Sequence, residues 1–295
     1  MGTALGLTLA FVAIEAIAGW RAHSLALVSD AGHNFADAAA LGLSWYAMVI
    51  ARRRATTTMT FGYHRVGVLA ALVNAASLVL IAVIIFWEAF GRFRHPEAVD
   101  PTVMIAVAAV AVVLNTAISM SLHKGRDDIN VRSAYLHMVG DAISAGGVVV
   151  AGIVVRLTGA HQADPVVSVL IALLILWSSW GILRECLNVL LEGVPADLNM
   201  DAIESSLRSL PNVGDVHHVH AWTIASGFLA CSCHIVPVVA GVDEQQKILD
   251  EAQRVLERKF DFHHTTIQVE TTPCDAPHRD CDPAPKRSDA DTHAH

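Results

Sequence analysis

The chain has 295 residues, of which 54% are hydrophobic and only 16% charged, with a mean hydropathy of +0.47. Soluble domains carry about a quarter charged residues, so these values point to a membrane protein. A net charge of −8 offers no basic surface for nucleic acid.

A helix that crosses a bilayer needs about 20 mostly apolar residues. Six runs of that kind follow one another, roughly Thr3 to Trp20, Ser24 to Ile50, Val66 to Phe90, Val103 to Leu122, Ala134 to Leu157 and Pro165 to Leu183. Their length and short polar joins favour membrane spans over buried helices of a soluble protein. The first run has no basic leader and more spans follow at once, so it is not read as a cleaved signal. Orientation follows from the basic residues of the loops. Arg52, Arg53, Arg54, Arg65, Lys124, Arg126 and Arg132 fall on one side, against Arg21, Arg92, Arg94 and Arg156 on the other. That bias predicts both chain ends in the cytoplasm. The five cysteines then meet a reducing compartment, and disulfides are not expected.

The second run contains "SDAGHNFADAAALG", which places Asp30, His33 and Asp37 in an apolar stretch. The fifth contains His137-Met138-Val139-Gly140-Asp141. Both carry H-x-x-x-D, and residues four apart stack on one helical face. Each span therefore offers one imidazole nitrogen and one carboxylate oxygen on one side. Two such faces turned together would make a tetrahedral N2O2 cage of the kind zinc takes. An Asp at the centre of a span costs roughly 2.5–3.5 kcal/mol on insertion scales, which a cation or local water would offset. Intrahelical His–Asp hydrogen bonds are the plainer explanation for one such pair; two pairs on separate spans favour the cage. Asp30 reads either as an outer-vestibule residue or as a carboxylate favoured near a helix N-terminus. Glu15, Asn74, Glu88 and Asn115 fit interhelical hydrogen bonding or snorkelling as well as a cation path.

Past Pro195 the pattern changes. Ile203, Leu207 and Leu210 recur at helical spacing, "DVHHVHAWTI" and "FLACSCHIVPVV" read as strands of a hairpin turning at Ser226-Gly227, and Ile248 to Phe260 marks a second amphipathic helix. "TTIQVE" is a last short strand. The expected fold is a membrane α-helical bundle of six transmembrane helices (residues 1–194) followed by a small α+β domain of α-β-β-α-β, ferredoxin-like order (195–270). From Thr271 the last 25 residues carry Asp, Pro, His and Cys without an apolar pattern, and are expected to form a disordered tail.

The segments "SLALVSDAGHNFADAAALGLSWYA", "TFGYHRVGVLAALVN", "RSAYLHMVGDAISAGGVVVAGI" and "NVLLEGVP" resemble the cation diffusion facilitator family, in particular its zinc-exporting branch. The likeness runs through nearly the whole chain, to "HTTIQVE". It implies a homodimer in the plasma (inner) membrane that exchanges cytosolic zinc for protons by alternating access, and no enzyme. The family's transport site maps onto His33, Asp37, His137 and Asp141. Histidine at both first positions resembles the zinc-selective pattern, nitrogen being softer than the oxygen that manganese or magnesium prefers. An imidazole of ordinary pKa about 6.5 can hold either a proton or the metal, which agrees with exchange.

The resemblance also implies an ion pair between Arg65 and Glu192 and a regulatory metal site in the cytoplasmic domain, where His220, His234, His263 and Glu270 match positions used in some relatives. His217, His218 and His264 add to an unusual density of imidazoles there. Gly67 stands where the family often has an acid, so that acid's role is absent or moved. Cys274, His278, Cys281, His293 and His295 of the tail follow no structural zinc spacing and read as solvated chain. Cys186 reads as a small apolar filler. A membrane metalloenzyme is disfavoured because catalytic zinc has three protein ligands and an open position, and no H-E-x-x-H is present. A metal-sensing receptor would bind metal without flux, and a channel would conduct without proton coupling.

Overall fold

The computed structural model describes residues 2–123, 129–239 and 241–271. The expected tail falls outside them except for Thr271, as do Lys124 and Arg126. Contacts divide the chain into a first unit, Met1–Cys186, and a second that begins at Leu187.

The first unit is helical: α1 (Gly2–Arg21), α2 (Leu25–Ala51), α3 (Val66–Arg94), α4 (Pro101–Leu122), α5 (Ile129–Thr158) and α6 (Ala163–Leu190), whose last turn reaches the second unit. Among the described residues, four segments are long and apolar enough to cross a membrane: α3, α4, α6 and Tyr135–Thr158 of α5. α1 and α2 have 20 and 27 residues, but α2 dilutes its apolar run with Ser29, Asp30, His33, Asn34 and Asp37.

Size, rather than polarity, sorts the side chains of this unit. Ala75, Ala82, Ala89, Ala108, Ala111, Ala145, Ala151 and Ala172 are buried between helices, while Trp20, Trp87, Trp177 and Trp180 face outward. In lipid the exterior gains nothing from being polar, and small residues let helix backbones close together. At Gly152 an added Cβ would stand 2.7 Å from Ile105 Cγ1, so any other residue there would force the Ile105 side chain or the helices to shift.

α2 is anchored at its start. Ser24 caps it, its Oγ accepting from the Leu27 amide at 3.2 Å. Asp164 at the start of α6 is fully buried and accepts from Ser24 Oγ (2.5 Å) and from the Leu25 and Ala26 amides (2.8 and 3.2 Å), with Arg92 of α3 at 3.6 Å. One carboxylate thus satisfies donors that helix geometry would leave orphaned. It fixes the end of the helix that carries His33 and Asp37.

The second unit contains α7 (Met200–Arg208), β1 (Val213–Ala225), β2 (Phe228–Pro237), α8 (Val242–Phe260) and β3 (Phe262–Val269). The order α-β-β-α-β is the one expected. β2 is central, antiparallel to β1 and parallel to β3. Gly227, at φ +69, allows the two-residue hairpin turn. Ile203 and Leu207 of α7 and Ile248, Ala252 and Leu256 of α8 pack with Val216, Cys231, Cys233 and Ile235 into one core, which puts both helices on one face of the sheet.

Candidate metal sites

α2 and α5 bring the two H-x-x-x-D pairs together, and the pairs cross. His33 Nε2 lies 3.5 Å from Asp37 Oδ2 of its own helix and 3.6 Å from Asp141 Oδ1 of α5. His137 Nε2 lies 3.6 Å from Asp141 Oδ2 of its own helix and 3.2 Å from Asp37 Oδ2 of α2. Each imidazole therefore faces both carboxylates. The two rings stand edge to face, 6.1 Å apart. Four ligands about 2.0–2.1 Å from a tetrahedral zinc ion are separated by about 3.3 Å, which is the spacing found between these nitrogens and oxygens. Donor atoms of His33, Asp37 and Asp141 all lie within 4.8 Å of one another; His137 stands outside that group, although its Nε2 is near both carboxylates.

Two atoms of the group are buried without a hydrogen bond: Asp37 Oδ2, despite two imidazole nitrogens nearby, and His33 Nδ1. An oxygen that faces two nitrogens and bonds neither has the surroundings of a ligand. Asp30, the sixth residue of α2, neither caps the helix nor opens outward. It is buried and accepts a hydrogen bond from Ser144 Oγ of α5 at 3.0 Å. Glu88 is exposed and pairs with Arg92 at 3.3 Å.

In the second unit the imidazoles and acids converge differently from the expected quartet. His217 Nε2 is 3.1 Å from Glu270 Oε2, and His234 Nδ1 is 2.8 Å from Glu270 Oε1. His217 and His234 are direct cross-strand partners, their rings 5.3 Å apart, and these three residues form a group with metal-ligand spacing. His218 stacks on His234 at 5.0 Å, and Asp215 Oδ2 stands 3.3 Å from His217 Nδ1. His234 and Glu270 come together, His220 borders the group with its ring edge-on to His218 at 6.3 Å, and His263 stands apart. His220 is exposed, and His263 packs edge-on against Phe228 at the opposite end of β3 from Glu270. Seven residues of strand separate His263 from Glu270, roughly 23 Å, too far for one ion.

The sequence hid His217 because the hairpin is irregular. An unbroken register from the Ser226-Gly227 turn would set His217 against Val236. Register shifts between Thr223 and Ala225 and between His217 and His220, with His218 at φ 50, set it against His234 instead. Glu270 is fixed by its amide, which donates to Ile235 O at 2.9 Å. Cys231 and Cys233 point the other way, into the core, and take no part.

Known proteins agree with this architecture. The family description "Cation efflux transmembrane domain" matches residues 3–191 and "Cation efflux protein, cytoplasmic domain" matches 195–272. The chain belongs to the cation diffusion facilitator family of metal efflux transporters. Its curated relatives are transporters and not enzymes. The zinc transporter ZitB of Escherichia coli is 37% identical over 282 residues, 94% of this chain and 88% of that protein. The metal cation efflux system protein CzcD of Cupriavidus metallidurans is 37% identical over 92% of this chain and 86% of its own. A Bacillus subtilis relative described as a cadmium, cobalt and zinc/H+-K+ antiporter is 35% identical over 88% of this chain and 85% of its own. The protein is thus a multi-pass membrane transporter with a helical membrane domain and a cytoplasmic domain built on a small sheet.

Proposed function

We propose that the protein exports zinc from the cytosol in exchange for protons, as a homodimer of six-span protomers in the bacterial inner membrane with both chain ends cytoplasmic. His33, Asp37, His137 and Asp141 hold the ion during transport. The observation that carries this reading is the crossing of the two pairs: each imidazole faces the carboxylate of the other helix as well as its own. A cage shared by two helices can open on either side when those helices move, and a cage within one helix cannot. Four ligands also distinguish it from a catalytic zinc site, which keeps a position for water. Zinc binding to imidazole displaces a proton, and protonation ejects zinc, so a proton gradient directed inward drives metal outward. The zinc named in two of these relatives and the protons named in one of the two support the same substrates.

His217, His234 and Glu270 form a second zinc site that senses cytosolic metal in the soluble domain. Residues 1–194 transport, and 195–270 sense and dimerise. The experiment is zinc uptake into inside-out vesicles driven by a pH gradient, comparing the wild type with the D37A/D141A double variant. Uptake abolished in a folded variant supports the cage; equal uptake in both removes it. Uptake that ignores collapse of the gradient removes proton exchange alone.

A further inference from the structure

A second polar layer lies beside the cage, and the cage does not use it. Glu15 of α1 and Asp30 of α2 are 0% and 2% exposed, with their carboxyl groups in hydrogen-bonding reach of each other. Asn34 Nδ2 donates to Glu15 Oε2 at 3.2 Å, and Ser144 Oγ donates to Asp30 Oδ1 at 3.0 Å. Glu15 Oε1 is buried and receives no hydrogen bond. The other charged or titratable groups that face the pair are His33 and Asp141. Asp30 is one turn before His33, and Ser144 is one turn after Asp141, so two of the three helices that carry the layer also carry the cage.

Two carboxylates this close in apolar surroundings do not both ionise, and a single shared proton satisfies the orphaned oxygen. A metal ion suits the layer less well. The Asn34 amide and the Ser144 hydroxyl donate to the pair, which leaves two carboxyl groups as the ligands this layer would offer a cation, against four residues in the cage. We propose that Glu15 and Asp30 form a proton-binding site distinct from the metal cage, which gives up its proton as metal enters the cage and regains it as metal leaves. The coupling is electrostatic: a divalent ion about one helical turn away favours the ionised pair, and its departure favours the protonated one. This site rests on the reading that the transporter exchanges zinc for protons.

The test counts protons released per zinc bound by the purified full-length protein in weakly buffered detergent solution, with zinc stoichiometry and affinity measured in parallel, for wild type, Glu15→Gln and Asp30→Asn. Each variant is expected to bind the same number of zinc ions with affinity within about threefold of wild type and to release about one proton fewer. Folded variants that release as many protons as wild type overturn the proposal. So does a variant that binds one zinc fewer with an unchanged proton count, which would make the layer a metal site. Infrared difference spectra of the wild type with isotope-labelled acidic residues need no substitution. A buried carboxylic acid band lost on zinc binding supports the site, and no such band overturns it. Wild type that releases protons in solution but transports zinc without regard to the gradient would instead overturn the exchange reading.

Discussion

Asp37 carries the most at the level of single residues, because its Oδ2 faces both imidazoles. Asp37→Ala removes the shared oxygen, and cage affinity for zinc should fall at least about 100-fold, beyond what loss of an outer partner costs. Equilibrium dialysis on the detergent-solubilised protein reads this directly. His33→Asp keeps four ligands but exchanges a nitrogen for a harder oxygen. Manganese should gain on zinc by about tenfold or more in competition transport assays. An unchanged cation ranking would mean that the first ligand of the motif does not set selectivity.

The site depends on elements held at particular points. Asp164 ties the N-terminus of α2 to α6 and lies against Arg92 of α3. Asp164→Ala leaves Arg92 without this buried partner and two α2 amides without an acceptor. Breaking a buried pair in this way costs about 3–5 kcal/mol. Thermal unfolding in detergent should show it, with Ser24→Ala losing only about 1 kcal/mol as the loss of a cap. The α4–α5 contact is tight at Gly152, where Gly152→Leu should cost about 1–3 kcal/mol by overpacking against Ile105. Because α5 carries His137 and Asp141, the same variant should also weaken zinc binding at the cage.

Two groups of candidate metal ligands lie in separate units of the molecule, and any ions they bind can be counted separately. His217→Ala with Glu270→Ala should remove one bound zinc per protomer from the full-length protein and leave the cage ion in place. His220→Ala with His263→Ala should leave the zinc count unchanged, since His220 is exposed beside His218, outside the three-residue group, and His263 packs against Phe228. Inductively coupled plasma analysis of dialysed protein distinguishes the two pairs of variants. The reverse result would restore the ligand set expected from sequence.

Whatever repeats along the chain was legible without a structure. The apolar runs, the amphipathic periods of α7 and α8 and the Ser226-Gly227 turn are local properties, and each forecast its element. The H-x-x-x-D spacing was legible for the same reason: the pitch of a helix fixes which residues share a face. That α2 faces α5, so that His33 meets Asp141 and His137 meets Asp37, depends on packing between residues about a hundred positions apart, and spacing cannot encode it. Nor could it reveal that Ser144 holds Asp30 while Glu15 arrives from α1. In the soluble domain the pairing of β1 was not legible either, because a bulge inserts extra residues between paired positions and turns His217 to a new partner. The sequence by itself carried the family and singled out the four residues proposed here as the cage, since both follow from residue type and local period. Only the tertiary structure decided which histidines accompany Glu270 and which carboxyls stand together beside the cage, since both are set by register and helix packing.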